Sequence, residues 1–230
     1  MKAPQLLFLV TAALSLSPFF ANADTVTSNL IQNSYFSDLS DPDNPVGSLE
    51  YWDITHLSPY VIPSSTGSDR YVVRGGGNSD NYSRIEQTID LSVFNEDMID
   101  SGDVTWDFSA LLYSYAGRDI SAAYVSFYDD LGNELQSVTT GGITSTDSDI
   151  VYTLSDYVPS GSDSIVVAWD ATRKYGSGNN GYMSAPELTM TVSFELANAY
   201  DGAAFRVPAP MWGIFLAPLL MARRNKKQKA

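Results

Sequence analysis

Leu188, Met190, Val192, Phe194 and Leu196 fall in one phase of the chain, and Thr189, Thr191, Ser193 and Glu195 fall in the other. Successive side chains of an extended strand point to opposite faces, so a period of two specifies a strand with one face in a core and one in water. The pattern recurs. Val104, Trp106, Phe108, Ala110 and Leu112 alternate with Thr105, Asp107 and Ser109, and Ala123, Val125 and Phe127 alternate with Tyr124, Ser126 and Tyr128. Asp129-Asp130-Leu131-Gly132-Asn133 then predicts a turn, and Glu134–Thr139 the returning strand. Ile165, Val167 and Trp169 form another inward row; Val166 and Ala168 are apolar too, which predicts a central strand. Earlier strands are expected at Leu30–Asn33, Tyr51–Thr55, Tyr71–Arg74 and Arg84–Leu91, and one short helix at Ser92–Ile99, capped by Ser92 and ended by Gly102. A strand with one apolar face must bury it against a second layer. Many such strands between Gly-, Asp- and Asn-bearing turns therefore predict an all-β sandwich. The 183 residues from Asp24 to Arg206 suffice for one domain, with no repeat or Pro-rich linker dividing them.

Charge limits what such a domain can do. The chain of 230 residues has 27 acidic and 13 basic residues, one His and no Cys, for a net charge of −14. An acidic surface has no means of displacing the counterions of nucleic acid. Without cysteine there are no disulfides, thiolate metal sites or thiol catalysis. His56 is the only imidazole, and Leu57-Ser58-Pro59 after it offers neither base partner nor nucleophile. None of the 27 carboxylates stands out by context as a hydrolytic pair. A non-catalytic role is expected.

The two ends read as addresses. Residues 1–23 hold Lys2, the apolar run Leu6 to Leu16 and the small-x-small exit Ala21-Asn22-Ala23, the three parts of a secretory signal peptide, with Asp24 as the mature start. At the other end, residues 207–230 run Val207-Pro208-Ala209-Pro210, an apolar segment Met211 to Ala222, and a basic tail opened by Arg223 and Arg224. All acidic residues lie between 24 and 201. The span 24–206 holds seven basic residues against 27 acidic ones, a net of −20, while five of the basic residues crowd into the last eight positions. Basic residues after an apolar segment stay cytoplasmic, which puts the acidic domain on the far side. At ~1.5 Å per residue the apolar stretch is short for a permanent span. Transient retention at the inner membrane and an ordinary single-pass anchor both fit these residues.

This tail resembles the PEP-CTERM sorting signal of Gram-negative bacteria, with Ala209 where the usual box carries Glu. The resemblance implies an exosortase-type membrane protease as partner, removal of the tail, and delivery to the cell surface or extracellular matrix. The core has a resemblance of its own. Segments 29–36 (NLIQNSYF), Tyr51-Trp52, 84–92 (RIEQTIDLS), 104–112 (VTWDFSALL), 123–135 (AYVSFYDDLGNEL) and 157–182 (YVPSGSDSIVVAWDATRKYGSGNNGY) follow the order of a galactose-binding-like jelly roll. Many such domains carry an Asp before the final strand, where this chain has Met183-Ser184-Ala185-Pro186-Glu187.

Two kinds of loop carry candidate chemistry. Asp38, Asp41 and Asp43 cluster near Pro45, and Asp97, Asp100 and Asp103 cluster near Gly102; such oxygens suit a structural Ca²⁺ or simply a solvated acidic loop. Sugar recognition asks for aromatic faces beside Arg and Asn. Arg173, Tyr175, Asn179, Asn180 and Tyr182 supply these in one Gly-rich loop, and Tyr113, Tyr115 and Arg118 follow the long strand Val104–Leu112. The expected function is an exported, non-catalytic module that binds extracellular polysaccharide. A structural surface or matrix protein with no glycan ligand fits the same composition.

Overall fold

The computed structural model describes residues 25–37, 47–64, 71–77 and 81–193. Among these residues eleven strands form two antiparallel sheets. One sheet runs β3 (Tyr60–Pro63), β4 (Tyr71–Arg74), β11 (Gly181–Val192), β6 (Thr105–Ser114) and β9 (Val151–Tyr157), with β1 (Thr25–Val26) on the far end of β11. The other runs β2 (Asp53–His56), β5 (Tyr82–Asp90), β10 (Ser164–Thr172), β7 (Ile120–Tyr128) and β8 (Glu134–Thr139). The inward rows anticipated from the period of two meet between them: Trp106, Phe108 and Leu112 face Val125, Phe127, Ile165, Val167 and Trp169 across one continuous core. Trp169 and Trp106 are wholly buried, and each indole N–H finds an oxygen, Ser121 Oγ at 2.8 Å and the Tyr157 carbonyl at 3.3 Å. A buried donor without a partner would cost about 1–3 kcal/mol.

The architecture is the two-sheet sandwich expected, and β10 is the centre of its sheet. Several boundaries differ. Leu30–Asn33, expected as a strand, is a turn in which Asn33 takes φ 48° and its amide donates to the Ser48 carbonyl at 3.1 Å. The strand expected at Tyr51–Thr55 is displaced to Asp53–His56, because Tyr51 sits at φ 70° and interrupts extension. The helix is shorter and later, α1 (Glu96–Asp100): Asn95, not Ser92, caps it, its side chain accepting from Met98 N at 3.3 Å, and Gly102 ends it at φ 75°. Residues 183–187, placed before the final strand, lie inside β11. Pro186 has no N–H to give, so the ladder slips between Ser184 and Glu187, with Ala185 at φ 47°. Phe194 and Leu196 lie outside the described residues, as do the signal segment 1–23, the tail residues Val207, Pro208, Ala209, Pro210, Arg223 and Arg224, and the acidic triplet Asp38, Asp41 and Asp43. Among the described residues no helix is long and apolar enough to cross a membrane.

Candidate functional site

The loop of 173–180 is organised from beneath by a residue the sequence did not single out. Asp119 is wholly buried; its Oδ1 accepts from Lys174 N at 2.8 Å and Tyr175 N at 3.3 Å, and its Oδ2 from Asn180 N at 2.7 Å. Asn179 is equally buried and donates to the Ala171 carbonyl at 2.8 Å. Arg173 donates to the Ser177 carbonyl at 2.9 Å and to Asn81 Oδ1, lashing the loop to the start of β5. Two of the candidate sugar contacts, Arg173 and Asn179, thus hold the loop's shape. Tyr175 and Tyr115 are open to solvent, Arg118 is exposed in the turn after β6, and Tyr113 and Tyr182 stack on each other with centroids 4.7 Å apart. Burial, with Tyr182 alongside, pushes the Tyr113 hydroxyl up to about 12. Asn180 ends the loop, its Oδ1 accepting from Arg74 and its carbonyl from Tyr115 N, and the sequence candidates therefore divide between a loop scaffold and an aromatic row on the sheet of β11.

A second arrangement lies on the solvent face of the other sheet, where no described element packs. Residues of β10 alternate, so Ile165, Val167 and Trp169 enter the core while Val166, Ala168 and Asp170 point outward. Outward residues of an uncovered sheet are normally exposed. Here Ala168 is 1% exposed and Asp170 7%, and across on β7 Ala122 is 5% and Ser126 7%. Their side chains are small, and those on either side are long: Tyr82, Arg84 and Glu86 on β5, Tyr124 and Tyr128 on β7. Register sets Glu86 and Tyr124 against Ala168, and Arg84 against Asp170. The small side chains form a recessed row between long ones that nearly cover it, a groove only in outline.

Its polar groups are held in place. Arg84 donates from Nε to Glu86 Oε2 at 3.0 Å and from Nη1 to Asp170 Oδ1 at 3.1 Å, while its guanidinium lies 5.6 Å from the Tyr124 ring centre. His56 closes one end edge-on to Tyr82, with 5.2 Å between centroids. Burial raises the hydroxyl pKa values of both Tyr82 and Tyr124; Arg84 opposes the rise at Tyr82 and Asp170 adds to it at both. Both phenols stay protonated at neutral pH and can donate as well as accept. The sequence marked Tyr124 and Tyr128 only as the polar phase of their strand and Arg84 as the start of another, and singled out neither Tyr82 nor Asp170. What it lacked was strand order, which alone shows that β5 and β7 flank β10.

Elsewhere on the molecule, two shallow depressions lie on the solvent face of β6, β9 and β11. One, of about 280 Å³, is lined by Ser109, Ala110, Leu111, Asp149, Val151 and Ala185, without an aromatic or a cation. The other, of about 200 Å³, adjoins it at Ser109. Asp97, Asp100 and Asp103 do not converge: Asp100 Oδ1 accepts from Gly161 N at 2.7 Å and Ser160 Oγ at 3.3 Å, and among the described residues no three metal-ligating side chains come together.

No protein-family model matches the sequence, and no curated protein matches it. Structural neighbours include carbohydrate-binding modules with a β-sandwich fold. TmCBM61 in complex with β-1,4-galactotriose aligns at 14% identity and TM-score 0.43, over 70% of this chain and 97% of its own. Family 16 Carbohydrate Binding Module-2 aligns at 17% identity and TM-score 0.46, over 70% of this chain and 99% of its own. The enzymatically active domain of bacteriophage CBA120 tailspike protein 4 aligns at 17% identity and TM-score 0.43 over 70% of this chain, which spans only 21% of the tailspike's length. At such identities the likeness is one of fold.

Proposed function

We propose that this chain is a non-catalytic carbohydrate-binding module, a jelly roll of the galactose-binding-like kind, and that the groove over β10 holds a polysaccharide strand. The observation that carries this reading is the recessed row of Ala168 and Asp170 between Tyr82 with Arg84 on one wall and Tyr124 on the other. A pyranose presents apolar C–H faces and a belt of hydroxyls. Tyrosine rings cover the former, while an Arg–Asp–Glu cluster offers fixed donors and acceptors to the latter. Asp170 and Glu86 are both bound to Arg84, an arrangement suited to recognising hydroxyls. Their negative charge favours neutral sugars over uronates in this groove.

Export belongs to the same proposal. The signal-like residues 1–23 and the tail 207–230 support passage through the inner membrane, trimming by an exosortase-type protease, and display at the cell surface or in the matrix. Calorimetry with neutral β-1,4-linked hexasaccharides tests the binding. The purified protein is expected to bind at least one of them, and Tyr124→Ala to weaken that affinity by about 1–2 kcal/mol, roughly five- to thirtyfold. Binding unaltered by Tyr124→Ala and Tyr82→Ala would remove the groove from consideration.

A further inference from the structure

A second aromatic and cationic row crosses the opposite sheet on its solvent face. In register, Tyr60 of β3 meets Arg74 of β4, Arg74 meets Tyr182 of β11, and Tyr182 meets Tyr113 of β6. Arg74 Nη1 donates to the Tyr60 hydroxyl at 2.6 Å, its Nη2 donates to Asn180 Oδ1, and its guanidinium lies 5.5 Å from the Tyr60 ring centre. Its Nε is buried and has no acceptor. Two ion pairs join described residues to one another, and both belong to Arg84. The two arginines are therefore opposites: Arg84 is neutralised by two carboxylates, whereas among the described residues Arg74 faces only neutral oxygens and rings.

A guanidinium carries five N–H donors and cannot give up its charge. Holding one half-buried without a counter-ion costs stability that an anion would return. The nearby carboxylate of Asp119 is already taken by three backbone N–H groups. Two exposed rings border the position: Tyr60 itself, and Tyr115, whose backbone N–H donates to the Asn180 carbonyl at 3.1 Å.

We propose that Arg74 anchors a second saccharide site, separate from the groove, that takes the carboxylate of an acidic sugar, with Tyr60 and Tyr115 against the ring. Nη1 and Nη2 each keep one further N–H for a carboxylate, and a charge-assisted bond of this kind is roughly twice as strong as a neutral one. The two faces then divide their ligands by charge. The groove lines its floor and wall with Asp170 and Glu86 and takes neutral sugars; the Arg74 row, with no carboxylate in contact, takes a uronate. A chain of net charge −14 repels long polyanions at low salt, so the site suits an isolated acidic residue within a mainly neutral polymer.

The test is a titration of the purified protein, followed by NMR and calorimetry at fixed ionic strength, with three disaccharide probes: one carrying a single uronate, its carboxyl-reduced neutral counterpart, and a sulfated analogue. The uronate probe is expected to bind about tenfold or more tighter than the neutral one. Arg74→Lys, which keeps the charge and loses the fork, is expected to weaken it by about tenfold, and Arg74→Gln to erase the preference. Ala168→Leu, which fills the groove, leaves uronate binding unchanged. Tyr60→Phe keeps the ring and releases Nη1, and retains the preference; it serves as the reference should the Arg74 variants lose their native spectrum. The proposal is overturned if the uronate and neutral probes bind alike or neither binds, if Arg74→Gln with native spectrum binds the uronate as before, or if Ala168→Leu abolishes uronate binding. A sulfated probe that outcompetes the uronate would overturn the carboxylate assignment.

Discussion

Asp119 shows how much one side chain can organise. Its two oxygens receive three backbone N–H groups from a loop more than fifty residues away, and its own N–H donates to Ser114 Oγ at 2.9 Å. Asp119→Ala leaves those donors unsatisfied beneath the loop, and a loss of about 2–3 kcal/mol in chemical denaturation is expected, together with faster amide exchange at Lys174, Tyr175 and Asn180. Tyr113 gives a second prediction at this scale. Its hydroxyl titrates near 10 in the unfolded chain and about 12 in the folded one, so between those pH values the folded state holds the extra proton. Its contribution is complete below pH ~10 and is lost as pH climbs toward ~12. Alkaline melts should show this loss in the wild type and a smaller one in Tyr113→Phe. Neither residue's role was legible from the sequence. Tyr113 and Tyr182 were marked as aromatic candidates, but their stacking follows from the pairing of β6 with β11, which composition does not encode. Asp119 looked like any other turn aspartate among many acidic residues.

At the scale of elements, strands with many inward residues announced themselves and edge strands did not. β6, β7, β10 and β11 each carry three or more buried apolar residues in phase. β9 contributes only Tyr152 and Leu154 to the core side, and β3 follows Pro59 and ends on Pro63, so neither was among the expected strands. The turn at residues 31–35 replaced an expected strand because the side chain of Gln87 grips this segment, accepting from Gln32 N at 2.7 Å and donating to the Gln32 and Tyr51 carbonyls at 3.1 and 3.0 Å. β10 carries the functional consequence. Its outward phase is small at Ala168 and charged at Asp170, and the flanking strands are tall, so the groove is a property of three strands together. Ala168 points away from the core yet is 1% exposed, so Ala168→Leu has to displace the long side chains of Glu86 and Tyr124 beside it. It is expected to cost about 1–3 kcal/mol of stability while lowering neutral glycan affinity tenfold or more. Unchanged glycan affinity in a folded Ala168→Leu protein would count against this row as the site.

For the molecule as a whole, the sandwich presents two differently charged faces. One carries Arg84 paired with two carboxylates, and the other an arginine without a counter-ion among the described residues. Strongly acidic composition argued against nucleic acid from the start and keeps such a domain soluble, yet composition alone could not locate either face. The proposed export makes its own prediction: intact mass of protein released from the cell surface should begin at Asp24 and end near Pro208, and a secreted form still carrying Arg223 and Arg224 would contradict it. The central claim, that the groove over β10 is the glycan site, is tested most directly by mapping NMR chemical shifts while titrating a neutral β-1,4-linked hexasaccharide into isotopically labelled protein. Binding in the groove moves the resonances of Ala122, Tyr124, Ser126, Ala168 and Asp170 together, saturating with one affinity. Shifts confined to residues 115–118 and 173–180, with Ala168 and Asp170 unmoved at saturation, would contradict it.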